Sequence, residues 1–122
     1  MLDFARRYDP QWFHVDPAGA ERSIFGEAVA SGVYTAALWR KLDHQINSDI
    51  DFICGVAWED VRWPKAVRAG DRLRAISEIV EKRPSRDQGR GIAVFLYRLV
   101  NQHDEDVFSC RSVNLVRRAA TG

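Results

Sequence analysis

This 122-residue chain has only two cysteines, one methionine and four prolines, and it has no long apolar run. Each scarcity excludes something. Cys54 and Cys110 belong to no CxxC pair and no Cys/His cluster, so neither a disulfide scaffold nor a zinc centre is indicated. Both lie in stretches that read as strands, where the ordinary expectation is a buried free thiol. His14, His44 and His103 also lack metal-ligand spacing. No apolar run approaches the ~20 residues needed to cross a bilayer, and Met1-Leu2-Asp3-Phe4-Ala5-Arg6-Arg7 lacks the apolar core of a signal peptide. The expected compartment is therefore cytoplasmic, with no membrane partner. The formal net charge is +1 with both signs interspersed, so the broad basic field that nucleic acid requires is missing as well. No internal repeat, low-complexity tract or linker divides the sequence, so residues 1–122 read as a single domain.

What remains is an ordinary globular composition, 46% hydrophobic and 29% charged. A chain of this size buries only about two thirds of the surface its unfolded form exposes, which favours a ligand cavity shared between subunits over one enclosed in a monomer. A homodimer, or a higher oligomer of dimers, is the expectation.

The local pattern divides in two. Leu2 to Tyr8 has helical composition, and Asp9-Pro10 ends it because the residue before a proline is driven out of the α region. The segment after it reads as a loop, with Asp16-Pro17 capping a short helix through Ala20. A longer helix is expected from Ser31 or Gly32 to Leu42, with Val33, Ala36, Ala37 and Trp39 or Arg40 as its buried face of small and apolar residues. Beyond residue 51 the pattern turns to strands at Phe52–Trp63, Arg72–Lys82, Gly91–Asn101 and Val107–Arg117. Short turn-like connections, Arg68–Asp71 and His103–Asp106, make neighbouring strands antiparallel. Ile92–Tyr97 is apolar without alternation, as a central strand covered on both faces would be.

Chemistry concentrates in Tyr8-Asp9-Pro10-Gln11-Trp12-Phe13-His14-Val15-Asp16-Pro17, followed by Ala30-Ser31-Gly32. An acid and an imidazole stand five positions apart, ahead of a helix start. One proton acceptor, one proton donor and a backbone N–H aimed at a developing oxyanion suffice to move water across an activated double bond. Taken singly, Asp9 is a common turn residue and His14 could be a core histidine. Ser31 is a natural N-cap that could also orient the acid/base pair. Gly32, with no Cβ, would let a substrate approach the helix N-terminus and offer its N–H there. Asp16 reads as a helix cap and Trp12 as packing. The polar stretch Glu81–Arg90 carries four cations that could meet phosphates, but its interleaved acids favour a solvated hairpin.

These residues also carry a resemblance. Phe4-Ala5-Arg6-Arg7-Tyr8-Asp9-Pro10-Gln11, Phe13-His14-Val15-Asp16-Pro17, Ala30-Ser31-Gly32, Thr35-Ala36-Ala37-Leu38, and downstream Trp63-Pro64, Val67-Arg68 and Gly70-Asp71-Arg72-Leu73 resemble the MaoC-like dehydratases, the (R)-specific enoyl-CoA hydratase or hydratase 2 group. The resemblance implies an α+β hotdog fold, a curved antiparallel β-sheet wrapped around a central α-helix. It implies a hydro-lyase acting on a trans-2-enoyl or (R)-3-hydroxyacyl thioester of coenzyme A or acyl carrier protein, with no metal or redox cofactor. Asp9 and His14 would be the catalytic pair, with Gly32 as oxyanion donor and Ser31 beside it. Two rivals share the fold: a noncatalytic acyl-thioester-binding subunit and a thioesterase. Members of the family commonly begin with a strand before the first helix, so this sheet is expected to lack one edge strand. Trp12 is a further departure, standing where the family often has a smaller residue or proline.

Overall fold

A computed structural model describes residues 1–84 and 89–117 of the chain. Three short helices, α1 (Leu2–Tyr8), α2 (Trp12–Val15) and α3 (Pro17–Ala20), precede the long helix α4 (Gly32–Ile46). Four strands follow: β1 (Phe52–Arg62), β2 (Arg74–Pro84), β3 (Arg90–Val100) and β4 (Asp106–Arg117). They form one antiparallel sheet in the order β1-β4-β3-β2. This is the α+β hotdog arrangement, with β3 and β4 central and β1 and β2 at the edges.

The central position of β3 agrees with its apolar run, in which Ala93, Val94, Phe95 and Tyr97 are buried, but Leu96 is 41% exposed, so the strand is not covered on both faces as expected. The β3–β4 hairpin turns through Asn101, whose side-chain oxygen accepts from the backbone N–H groups of His103 and Glu105. Asp104 takes the left-handed conformation there, at φ 58°, which Asp tolerates better than most residues. The β1–β2 connection, expected from its turn-like Arg68–Asp71 to join neighbouring strands, instead links the two opposite edges of the sheet. The Asp71 N–H donates to the Arg68 carbonyl, and Gly70 between them sits at φ +89°, a conformation that favours glycine.

Helix α4 packs on one face of the sheet through Trp39, whose fully buried indole meets the rings of Tyr97 and Phe108 at centroid distances of 5.1 and 5.2 Å. The buried stripe of the helix differs from the expected small apolar face. It consists of Ser31 at the cap and then Thr35, Trp39 and Asp43, spaced by four, while Val33 and Ala37 face outward. Polar residues are tolerated there because each has partners. Thr35 donates to the Ser31 carbonyl, and Asp43 accepts from Arg40 and Asn47.

Other boundaries shift. Helix α4 runs one turn past Leu42, and β2 begins at Arg74 rather than Arg72. The segment carrying His14 is a short helix, not a loop. Cys110 is buried as expected, but Cys54 is exposed, because it lies on edge strand β1. The polar stretch is shorter than expected, since Glu81–Pro84 belong to β2 and Arg90 to β3. The rest of that expected loop, residues 85–88, lies outside the described residues. Among the described residues, no helix is long and apolar enough to cross a membrane, and no cluster of His, Cys, Asp and Glu could hold a metal.

Candidate active site

Asp9 is the C-cap of α1, with its N–H donating to the Ala5 carbonyl at 2.8 Å and its backbone turned out of the helix at φ −155°. That turn, forced ahead of Pro10, aims the carboxylate at the start of α4. Asp9 Oδ2 accepts from Ser31 Oγ at 2.6 Å, across 22 residues of sequence. The same Ser31 oxygen accepts from the Val33 N–H at 3.2 Å. One fully buried hydroxyl thus caps α4 and anchors the carboxylate, its single proton committed to Asp9.

His14 lies on α2 and is buried. Its Nδ1 is 2.7 Å from the Val29 carbonyl oxygen. A carbonyl can only accept, so this bond puts a proton on Nδ1, and in the neutral tautomer Nε2 is the free nitrogen. Nε2 faces Asp9 Oδ2 at 3.8 Å. That separation is too long for a direct hydrogen bond, yet it sets both groups against one small volume.

Gly32, the first residue of α4, lies beside them. Its N–H is one of the orphan donors of a helix start and finds no acceptor among the described residues. The space that a Cβ would occupy is filled. An added Cβ would lie 2.8 Å from Cε2 of Trp63, and the Trp63 Nε1–H donates to the Gly32 carbonyl at 3.1 Å. The missing side chain therefore admits an indole, where the sequence had suggested open access for substrate.

The four residues named from sequence, Asp9, His14, Ser31 and Gly32, are brought together at one end of α4. His14 and Gly32 line a cavity of about 250 Å³ whose remaining walls include Phe25, Thr35, Trp63 and Val67. A larger cavity of about 510 Å³ opens near the opposite end of the helix, lined by Ile50, Phe95, Val116 and the cations Lys82, Arg83 and Arg117. It touches none of the four, so size does not mark the chemistry here. Asp16 holds the N-cap position of α3 but makes no side-chain cap bond. Trp12 packs edge-on against Phe13 and does not line the smaller cavity. Two participants escaped the sequence reading. Trp63 had been noted only as part of a turn motif, and the Val29 carbonyl carries no side-chain signal at all.

Comparison with known proteins bears on the family and the fold. The family model of the MaoC like domain matches residues 1–95. The uncharacterized protein YdeM of Bacillus subtilis is 32% identical over 97% of this chain and 84% of its own length. The 3-hydroxyacyl-thioester dehydratase Z of Mycobacterium tuberculosis is 38% identical over 74 residues, 59% of this chain but only 49% of that protein. In three dimensions, a MaoC-like dehydratase from Rhodospirillum rubrum superposes with a TM-score of 0.89 at 31% identity, covering 97% of this chain and 82% of that one. Sequence match, fold and the ordered motif around α4 converge, and the chain belongs to the MaoC-like dehydratase family.

Proposed function

We propose that the chain reversibly hydrates a trans-2-enoyl thioester, or in reverse dehydrates an (R)-3-hydroxyacyl thioester, using Asp9 and His14 as one acid/base unit. The observation that carries this reading is the pair itself. A carboxylate oxygen pinned by Ser31 and an imidazole Nε2 freed by the Val29 carbonyl face each other 3.8 Å apart, beside a helix N-terminus and a cavity. The similarity to a named 3-hydroxyacyl-thioester dehydratase supports the substrate class.

Both facing atoms are acceptors in this state, so a water between them donates its two hydrogens to Asp9 and His14 and keeps a lone pair for the substrate. In hydration that oxygen bonds to the β-carbon. One member of the pair takes the released proton, and the pair returns a proton to the α-carbon, so the unit ends as it began. Roles are assigned to the pair, not to either residue alone. Negative charge builds meanwhile on the thioester oxygen. The unpaired Gly32 N–H, at the positive end of α4, is the donor placed to meet it. No step calls for a metal or redox cofactor. The acyl group would arrive on coenzyme A or acyl carrier protein, and the working form would be a homodimer.

The test is a panel of enoyl-CoA substrates in which loss of the conjugated absorbance and release of free thiol are followed together. Hydration without thiol release is expected, whereas a thioesterase would liberate thiol. Asp9→Asn and His14→Ala should each lower the rate by about two to four orders of magnitude, the scale for losing a positioned acid or base. The double variant should be scarcely worse than either, because residues acting on one water lose activity as a unit. Folded single variants that both retain full activity would overturn the mechanism and favour a noncatalytic acyl-binding subunit.

A further inference from the structure

Trp63 is held rather than free, although half of its surface is exposed. Its Nε1–H is tied to the Gly32 carbonyl, its five-membered edge lies over the Gly32 Cα, and Phe108 meets it edge-on at a centroid distance of 6.0 Å. The indole so fixed forms a wall of the same cavity that His14 and Gly32 line. The opposite walls are also constrained. The Ala30 N–H donates to the Val67 carbonyl at 2.8 Å, and Val29 bridges Arg68, so the segments that follow His14 and Trp63 are stitched together beside the helix. Ala30, Ala66 and Thr35 contribute only small side chains to the lining. Phe25 and Trp63 are its bulky apolar boundaries, with the His14 ring and the Lys65 side chain also in the lining.

From this arrangement we propose that Trp63 is a specificity-determining residue that restricts the site to short acyl chains, an inference that rests on the hydratase reading above. The cavity measures about 250 Å³, below the ~300–1,000 Å³ usual for small-molecule sites and not twice the ~150 Å³ of a void that takes up one benzene. Part of that volume must hold the thioester carbonyl and the reacting water. The remainder suits an acyl group of roughly four to six carbons, by the same comparison with a benzene-sized void. A longer chain would have to displace an indole tied by a hydrogen bond to the Gly32 carbonyl and by a ring contact with Phe108. The Gly32–Trp63 contact also explains why position 32 needs a glycine independently of any substrate. An added Cβ there would push the indole from its seat.

The experiment measures kcat and KM for CoA thioesters of four-, six-, eight- and ten-carbon trans-2-enoyl groups, and in parallel the binding of the matching saturated acyl-CoAs by calorimetry. The protein should favour four and six carbons over ten by about tenfold or more, within the range that a hydrophobic pocket achieves for added methylenes. Trp63→Ala should shift the ratio of kcat/KM for ten carbons over four carbons by about tenfold towards the longer chain, whatever it does to the overall rate, a change of preference that general damage to the fold would not give. Should Trp63→Ala prove unstable, Ala66→Leu provides the opposite test, since filling the cavity should depress the six-carbon substrate more than the four-carbon one. Equal activity on four and ten carbons in the unmodified protein would overturn the inference and leave the Asp9/His14 mechanism standing. Hydration of none of the substrates, together with tighter binding of short acyl-CoAs, would retain the inference about Trp63 and remove the hydratase reading. Absence of both hydration and length discrimination in binding would remove both.

Discussion

Ser31 is the residue on which the site turns, because its hydroxyl is shared between the helix and the acid. Its Oγ accepts from the Val33 N–H and donates to Asp9, so a single substitution disturbs two separable properties. Ser31→Ala removes an N-cap, worth about 1 kcal/mol of stability, and releases the carboxylate from a charge-assisted bond. Expected are a modest fall in melting temperature and a fall in kcat of about tenfold, the rate equivalent of ~1.4 kcal/mol, with KM nearly unchanged because Ser31 does not line the cavity. Ser31→Thr keeps the oxygen and should recover kcat. A loss confined to stability, with kcat intact, would reduce Ser31 to a cap alone. Ser31 and Gly32 are legible locally as a cap and a helix start, whereas Asp9 and His14, singly a turn residue and a core histidine, take their proposed roles from the family resemblance. What could not be read was Trp63, whose indole reaches a carbonyl 31 positions away. No local pattern encodes that contact.

At the scale of the element, the lesson lies in α4. Hydrophobic spacing pointed to Val33, Ala36, Ala37 and Trp39 or Arg40 as the inner face. Trp39 is fully buried and Ala36 packs against the core, but Val33 and Ala37 are exposed, and Thr35 and Asp43 complete the buried stripe. A hydropathy pattern scores Thr and Asp as outward, because it cannot see the partners that satisfy them. Asp43 also affects its neighbour across the sheet. Burial, then the hydrogen bond to Asp43, raises the Tyr97 hydroxyl above its usual range. Burial likewise pushes the nearby Cys110 thiol up to about 12 from an ordinary 9.0. The sign of the stability effect follows directly. Above pH 9 the unfolded chain loses the Cys110 proton while the folded chain keeps it, so the unfolded state binds fewer protons and stability falls as pH rises. Its contribution is complete below pH 9 and is lost progressively towards pH 12. Melting temperatures recorded from pH 8 to 12 should therefore decline, and Cys110→Ala, whatever its starting stability, should decline less steeply. A parallel decline in both proteins would remove Cys110 from the account. Thiol reagents on the folded protein should accordingly label exposed Cys54 in preference to Cys110.

For the whole molecule, the antiparallel pairing of β3 with β4 and the central place of β3 were legible, from a short turn and an apolar run. The turn-like Arg68–Asp71 does not make β1 and β2 neighbours, since they lie at opposite edges of the sheet. The edges were not legible, because edge and centre are decided by tertiary pairing. Strand β1 illustrates the point. Val56 and Trp58 are 59% and 52% exposed, although the Trp58 ring approaches buried Trp39 at 4.9 Å, so an apolar side of this edge strand is left only partly covered by its own helix. Its outer backbone edge has no neighbouring strand among the described residues. An edge that is both unpaired and apolar invites association, and a small domain gains proportionally from any further burial. A second copy of the chain is the simplest cover, consistent with the homodimer proposed above, and closed two-fold pairing would place the same strand of both copies at the interface. Light scattering at micromolar concentration should give twice the chain mass. Val56→Lys, which sets like charges against each other across such an axis, should shift the population towards monomer. If hydration activity falls together with the dimer on dilution, the site depends on the pairing. A strictly monomeric protein that remains fully active across dilution would show that one subunit builds the site unaided, and the exposed side of β1 would then need another explanation.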